Sequence, residues 1–192
     1  RHTRPAAGQP GGGVAEFREI VVFAMTAMRG ALDSMHRLTV HPDRKSFTAF
    51  AESVHRLEVD SIQVRARSKA MEARGDAYFE QWRERLALMN DEPARKLAEE
   101  HQDELKRSFD HIFQSARETR QTFDSFRAGL RQLRAKVEMN PDFRSIDSAR
   151  ALIAATQKSG HQVDEGLAEI LAELNFLSAR LASSGTAGPK QP

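Results

Sequence analysis

The chain has 192 residues, 40% apolar and 29% charged, which is enough for one domain with a packed core. Its 29 basic and 27 acidic residues leave a net charge of +2, too small an excess to argue for a nucleic-acid partner. There is no cysteine, which excludes disulfides, thiolate metal sites and a cysteine nucleophile within these residues.

Residues 1–13 hold two prolines and four glycines with no periodic apolar residue, and are expected to form a disordered leader. Residues 183–192 have the same character and are expected to form a disordered tail. The chain begins at Arg1 rather than Met, as removal of a signal peptide or an expression tag would leave it. No apolar run approaches the ~20 residues that cross a bilayer, so no transmembrane segment is expected.

The first helix is expected at about 14–39. Phe17, Val21, Ala24, Met28, Ala31, Met35 and Leu38 recur at alternating steps of four and three, one side of a helix. Pro42 ends it by disfavouring the helical conformation of His41. A second helix follows at about 44–89, with Asp43 placed to cap its first turn. Its stripe opens on Phe47, Phe50, Val54 and Leu57, then thins through Ser61, Val64, Ser68, Met71 and Gly75 to Tyr78 and Trp82. Small residues thus return every seven positions at Ser61, Ser68 and Gly75, a pattern that lets a neighbouring helix come close. Gly75 costs ~1 kcal/mol inside a helix, and close packing would offset that.

In the next turn Asn90 suits a left-handed helix end, Asp91 a cap, and Pro93 the first turn of a third helix at about 92–139. That helix carries the longest stripe: Leu105, Phe109, Ile112, Ala116, Thr119, Phe123, Phe126, Leu130, Leu133 and Val137. Asn140-Pro141-Asp142 breaks the chain before a fourth helix at about 145–182, whose stripe runs from Ala149 through Ile153, Thr156, Gly160, Val163, Leu167, Ile170, Leu174 and Leu177 to Leu181. Short turns between long helices imply antiparallel neighbours. The expected fold is all-α: an elongated antiparallel helical bundle or coiled coil over 14–182, four helices at one end tapering to three at the Asn90 turn. The first helix would cover the N-terminal half of the second.

Glu52 and His55 have the Glu-x-x-His spacing of di-iron bundles, but no second such pair exists in the chain. His101 with Glu104 and His161 with Glu165 run in the wrong order. No metal and no cofactor is therefore expected, and a metal-binding bundle stands only as a second alternative. Ser68, Gly75, Tyr78, Phe79 and Trp82 form a group at helical spacing. Core packing is its default role, and a ligand or partner groove near Tyr78 and Trp82 is the sharper one. Arg117, Arg120, Arg127, Arg131 and Arg134 make the most basic local face, either a solvated bundle surface or a contact for a polyanion or for anionic lipid at a membrane surface. There is no Gly-rich phosphate loop, no Gly-x-Ser-x-Gly elbow and no His-Glu-x-x-His helix, so no catalytic residue is nominated.

The block Arg74-Gly75-Asp76-Ala77-Tyr78-Phe79-Glu80-Gln81-Trp82, followed by a charged helix and another long amphipathic helix, resembles a bacterial family known only as a domain of unknown function. Members of that family look like all-helical, secreted or lipid-anchored envelope proteins, and the similarity runs from about Phe47 to Leu181. The resemblance implies an exported helical bundle and no particular activity. The expected function is a non-enzymatic scaffold or protein-interaction module of the bacterial cell envelope, with a protein partner or self-association. A periplasmic location is expected, with the cytoplasm as the alternative. A ligand-sensing bundle is the first alternative function, its pocket lying where Ser61, Ser68 and Gly75 thin the core or beside Tyr78 and Trp82.

Overall fold

The computed structural model describes residues 10–140 and 142–185. It contains α1 (Pro10–Val40), α2 (Arg44–Ala87), α3 (Glu92–Met139), the short α4 (Arg144–Ser148) and α5 (Arg150–Gly185). No strand occurs among the described residues. The fold is the all-α bundle expected from the periodicity. α1 is helical from Pro10 and α5 to Gly185, so both begin or end outside the bounds read from sequence. The rest of the expected leader and tail, 1–9 and 186–192, lies outside the described residues.

The helices alternate in direction around a ring. α1 packs on α2 and α5, and α3 packs on α5 and, less extensively, on α2. Each interface carries an ion pair that marks its register: Glu16–Arg74 between α1 and α2, Arg29–Asp164 between α1 and α5, Glu72–Arg117 between α2 and α3, and Glu104–Arg180 between α3 and α5. α1 therefore reaches well past the middle of α2, further than the sequence suggested. At the Asn90 end α1 begins and α5 finishes within two turns of these pairs, while α2 continues to Ala87 and α3 starts at Glu92. The rod thins there, and among the described residues the α2–α3 hairpin outruns both other helices.

The stripes do what their spacing predicts. Phe50, Phe126, Leu130, Leu133, Met35 and Leu38 are fully buried, as are Ile170, Leu174 and Leu177. Burying each such side chain stabilises by roughly 1.5–3 kcal/mol, which lets long helices persist that would be marginal alone. The buried residues form two clusters. One gathers Met28, Met35, Phe50, Leu57, Phe126 and Leu130 towards the Asp43 turn. The other gathers Phe17, Ile20, Met71, Phe79, Leu105 and Leu174 towards the Asn90 turn.

Three local expectations change. First, Asn90 is not left-handed; among the described residues Phe143 alone of the non-glycines has a positive φ. α2 instead closes by tightening, with the Leu88 N–H donating to Arg85 O (3.2 Å) and the Met89 N–H to Leu86 O (3.1 Å). Asp91 takes the cap position without a side-chain hydrogen bond, whereas Asp43 accepts from the Ser46 N–H at 2.7 Å. Second, the expected fourth helix is split. Phe143, at φ 61°, precedes α4, and Ala149, at φ −98° and ψ 10°, interrupts the helix before α5. The Phe143 ring, edge-on to Phe47 at 6.5 Å, anchors that corner and offsets the cost of left-handed backbone. Third, glycines with no room for a side chain lie between α3 and α5, and Gly75 of α2 is not one of them. A Cβ on Gly129 would stand 2.2 Å from Thr156 Oγ1, and one on Gly166 2.6 Å from Thr119 Oγ1. A Cβ on Gly75 would meet only the Phe113 ring edge, at 4.0 Å.

Candidate functional site

The gap between the two core clusters is where the structure departs from uniform packing. A cavity of about 170 Å³ lies there, lined by all four long helices. α1 contributes Phe17, Ile20, Val21, Ala24 and Met28, and α5 contributes Val163, Leu167 and Ile170. α2 adds Leu57, Ser61, Val64 and Ser68, and α3 adds Ala116, Thr119 and Phe123. The origin is visible in the residue sizes. On α2 the wall falls to Ser61 and Ser68, and on α1 and α3 to Ala24 and Ala116. Large buried residues hold the layers on either side: Leu57 and Phe50 below, Met71 and Phe79 above. Pinned at both ends, α2 cannot bend inward over a few residues to close the space, because interiors pack as rigid jigsaws.

The wall is mostly apolar, and two of its hydroxyls are bonded to their own helices. Ser61 Oγ donates to Glu58 O at 2.8 Å, and Thr119 Oγ1 donates to Ser115 O at 2.8 Å. Charge collects at the lining residues Asp60 and Arg65 of α2 and Arg120, Asp124 and Arg127 of α3. The α2–α3 seam is clasped on both sides of this stretch, by Glu58–Arg131 and by Glu72–Arg117 at 2.9 Å.

The structure divides the expected groove residues between two places. Ser68 lines the cavity. Gly75, Tyr78, Phe79 and Trp82 lie nearer the hairpin end, where aromatic rings join α1, α3 and α2: Phe17 to Phe113 (5.3 Å), Phe109 to Phe79 (5.4 Å), and Phe79 stacked on Trp82 at 6.4 Å. Tyr78 touches both Phe79 and Trp82, and burial pushes its phenol above the ordinary value of 10.0. Gln102, buried on α3, donates to the Phe79 carbonyl at 3.0 Å and ties the two helices together. At this end Phe79 is buried, and Tyr78 and Trp82 pack against it partly buried.

The basic face divides as well. Arg117 and Arg131 are engaged by glutamates of α2, Arg134 by Glu138 at 2.9 Å, and Arg127 by Asp124 at 3.6 Å. Arg120 and Arg127 line the cavity. Sequence reading missed Arg65, whose neighbours Ala66 and Arg67 give no periodic signal. Glu52 and His55 are exposed. Among the described residues no group of three His, Asp or Glu is placed to hold a metal ion.

A second, shallower depression of about 350 Å³ lies between α3 and α5 alone, lined by Ser108, His111, Ile112, Ala172, Glu173, Phe176 and Leu177. There Glu173 Oε1 meets His111 Nε2 at 2.8 Å. Walled by two helices rather than four, it encloses a ligand less well. None of the described helices is long and apolar enough to cross a membrane.

No family model matches this chain, and no curated protein or solved structure matches it.

Proposed function

We propose that this chain works by reversible binding rather than by catalysis, and that it binds a small apolar ligand in the cavity between its two core clusters. The observation that supports this is a mostly apolar, half-open space of about 170 Å³ between the two core clusters, walled by all four long helices. For comparison, an engineered apolar cavity of ~150 Å³ accepts benzene or xenon. The wall hydroxyls of Ser61 and Thr119 are committed to their own helix backbone, which leaves neither activated as a nucleophile. A ligand touching all four long helices stabilises their packing by mass action, so occupancy is read out as a stiffer bundle.

Thermal melts of the full chain with 1-octanol test this, against Ser68→Leu, which fills part of the cavity. The expected result is a melting temperature raised by octanol in the wild type and raised less, or not at all, in the variant. No shift in the wild type removes the reading.

A second reading, the scaffold or interaction module, is favoured by the projecting hairpin, which carries Leu88 81% exposed and Leu97 69% exposed. Self-association seen by sedimentation and lost in the Leu88→Glu/Leu97→Glu double variant would support it. An envelope setting rests on the resemblance carried by Arg74 to Trp82. Labelling by a membrane-impermeant reagent in intact cells would support that setting, and protection until lysis would count against it.

A further inference from the structure

The cavity has a greasy floor and a charged mouth, and the charges at the mouth are unequal in their commitments. Of the α3 arginines directed along the α2 seam, Arg117, Arg127 and Arg131 each hold an acidic partner. Arg120, which lines the cavity, has none among the described residues, and neither does Arg65, which faces the same cavity from α2. An arginine engaged by a glutamate contributes to holding helices together. Two unengaged guanidinium groups on opposite walls of one apolar opening are placed to receive an anion.

Resting on the cavity reading above, we propose that the ligand is a single-chain amphiphile with an anionic head, a medium-chain carboxylate, with its chain in the cavity and its head between Arg65 and Arg120. The half-open space takes about six carbon atoms, by comparison with benzene in a cavity of similar volume, which is room for one chain and not two. The lining from Leu57 to Ser68 covers about three turns of α2, roughly 16 Å, so a further stretch of chain can follow the groove. Two carboxylates line the cavity as well: Asp60, five helical steps and about 140° round α2 from Arg65, and Asp124, which Arg127 engages at 3.6 Å; with Arg65, Arg120 and Arg127 against them the opening keeps a net charge of +1.

Calorimetric titration of the full chain with octanoate, 1-octanol and octylammonium tests the assignment. Octanoate is expected to bind at least tenfold more tightly than octanol, and octylammonium more weakly than either. Added salt should shrink the advantage of octanoate, because partly exposed charges are screened. In the Arg65→Gln/Arg120→Gln double variant, octanoate should fall to the affinity of octanol, with octanol unchanged. Equal binding of octanoate and octanol by the wild type overturns the head-group assignment and leaves the cavity reading intact. No binding of any of the three overturns both. The comparison among ligands is made on the wild-type protein, so it decides the question even if the double variant fails to fold.

Discussion

Replacing one hydrogen atom by a methyl group has opposite consequences at two glycines of this bundle. At Gly129 an added Cβ would press on Thr156, a buried, β-branched residue whose hydroxyl already bonds Leu152 O at 2.7 Å. Gly129→Ala is expected to destabilise by about 1 kcal/mol net, overpacking outweighing the gain in helix propensity. At Gly30 an added Cβ meets nothing within 4 Å, so Gly30→Ala should stabilise by about 0.5–1 kcal/mol. Urea unfolding of the two variants beside the wild type checks both signs. Asp43 makes a second residue-scale prediction. The N–H of Ser46, and with it the Ser46 hydroxyl, holds the Asp43 carboxyl below its ordinary value of 3.8. Because folding lowers this pKa, the stabilisation is present in full above 3.8 and fades as the pH falls through the folded value. Asp43→Asn keeps a cap acceptor but cannot titrate. Thermal melts should show wild type above Asp43→Asn at neutral pH, with the gap closing towards pH ~2.

α2 is the element whose ends pack and whose middle does not. Its stripe was legible in sequence down to the positions of the small residues, and so was the idea that Ser61 and Ser68 thin the core. What the stripe implied about distance was not legible. Small residues permit close approach, but approach also needs the partner to move, and the large buried Leu57 and Met71 stand on either side of Ser61 and Ser68. Ser68→Leu should therefore stabilise the protein without ligand, by about 0.5–2 kcal/mol, seen as a rise of a few degrees in melting temperature. A fall would mean that the site is tighter than its lining suggests. The exposed clasps beside it are of a different order. Losing Glu72 should cost less than ~1 kcal/mol, while Leu130→Ala at the fully buried centre of α3 should cost roughly 2–5 kcal/mol.

Across the whole rod, stability should follow the number of helices in cross-section. The four-helix part buries its stripes on several neighbours, whereas the α2–α3 hairpin beyond α1 and α5 has fewer partners. Amide hydrogen exchange should be faster in the last turns of α2 and the first turns of α3 than around Phe126 and Leu130. Trp82, the one tryptophan in the chain, should report opening of that end at lower denaturant than loss of helicity overall. Uniform protection from the hairpin to the middle of the bundle would contradict this picture.

Sequence by itself determined the four long helices (though not the break at Ala149), their stops near Pro42, Asn90 and Asn140, and which side of each turns inward, because periodicity and turn chemistry belong to one chain segment at a time. Tertiary structure decided three further things: that Gly129 and Gly166, not Gly75, have no room for a side chain; that most arginines of the basic face are engaged by acidic neighbours; and that Arg65 and Arg120 flank one opening. Each of these depends on the register between helices far apart in the chain. That register is set by the largest buried side chains together, and no single stripe encodes it.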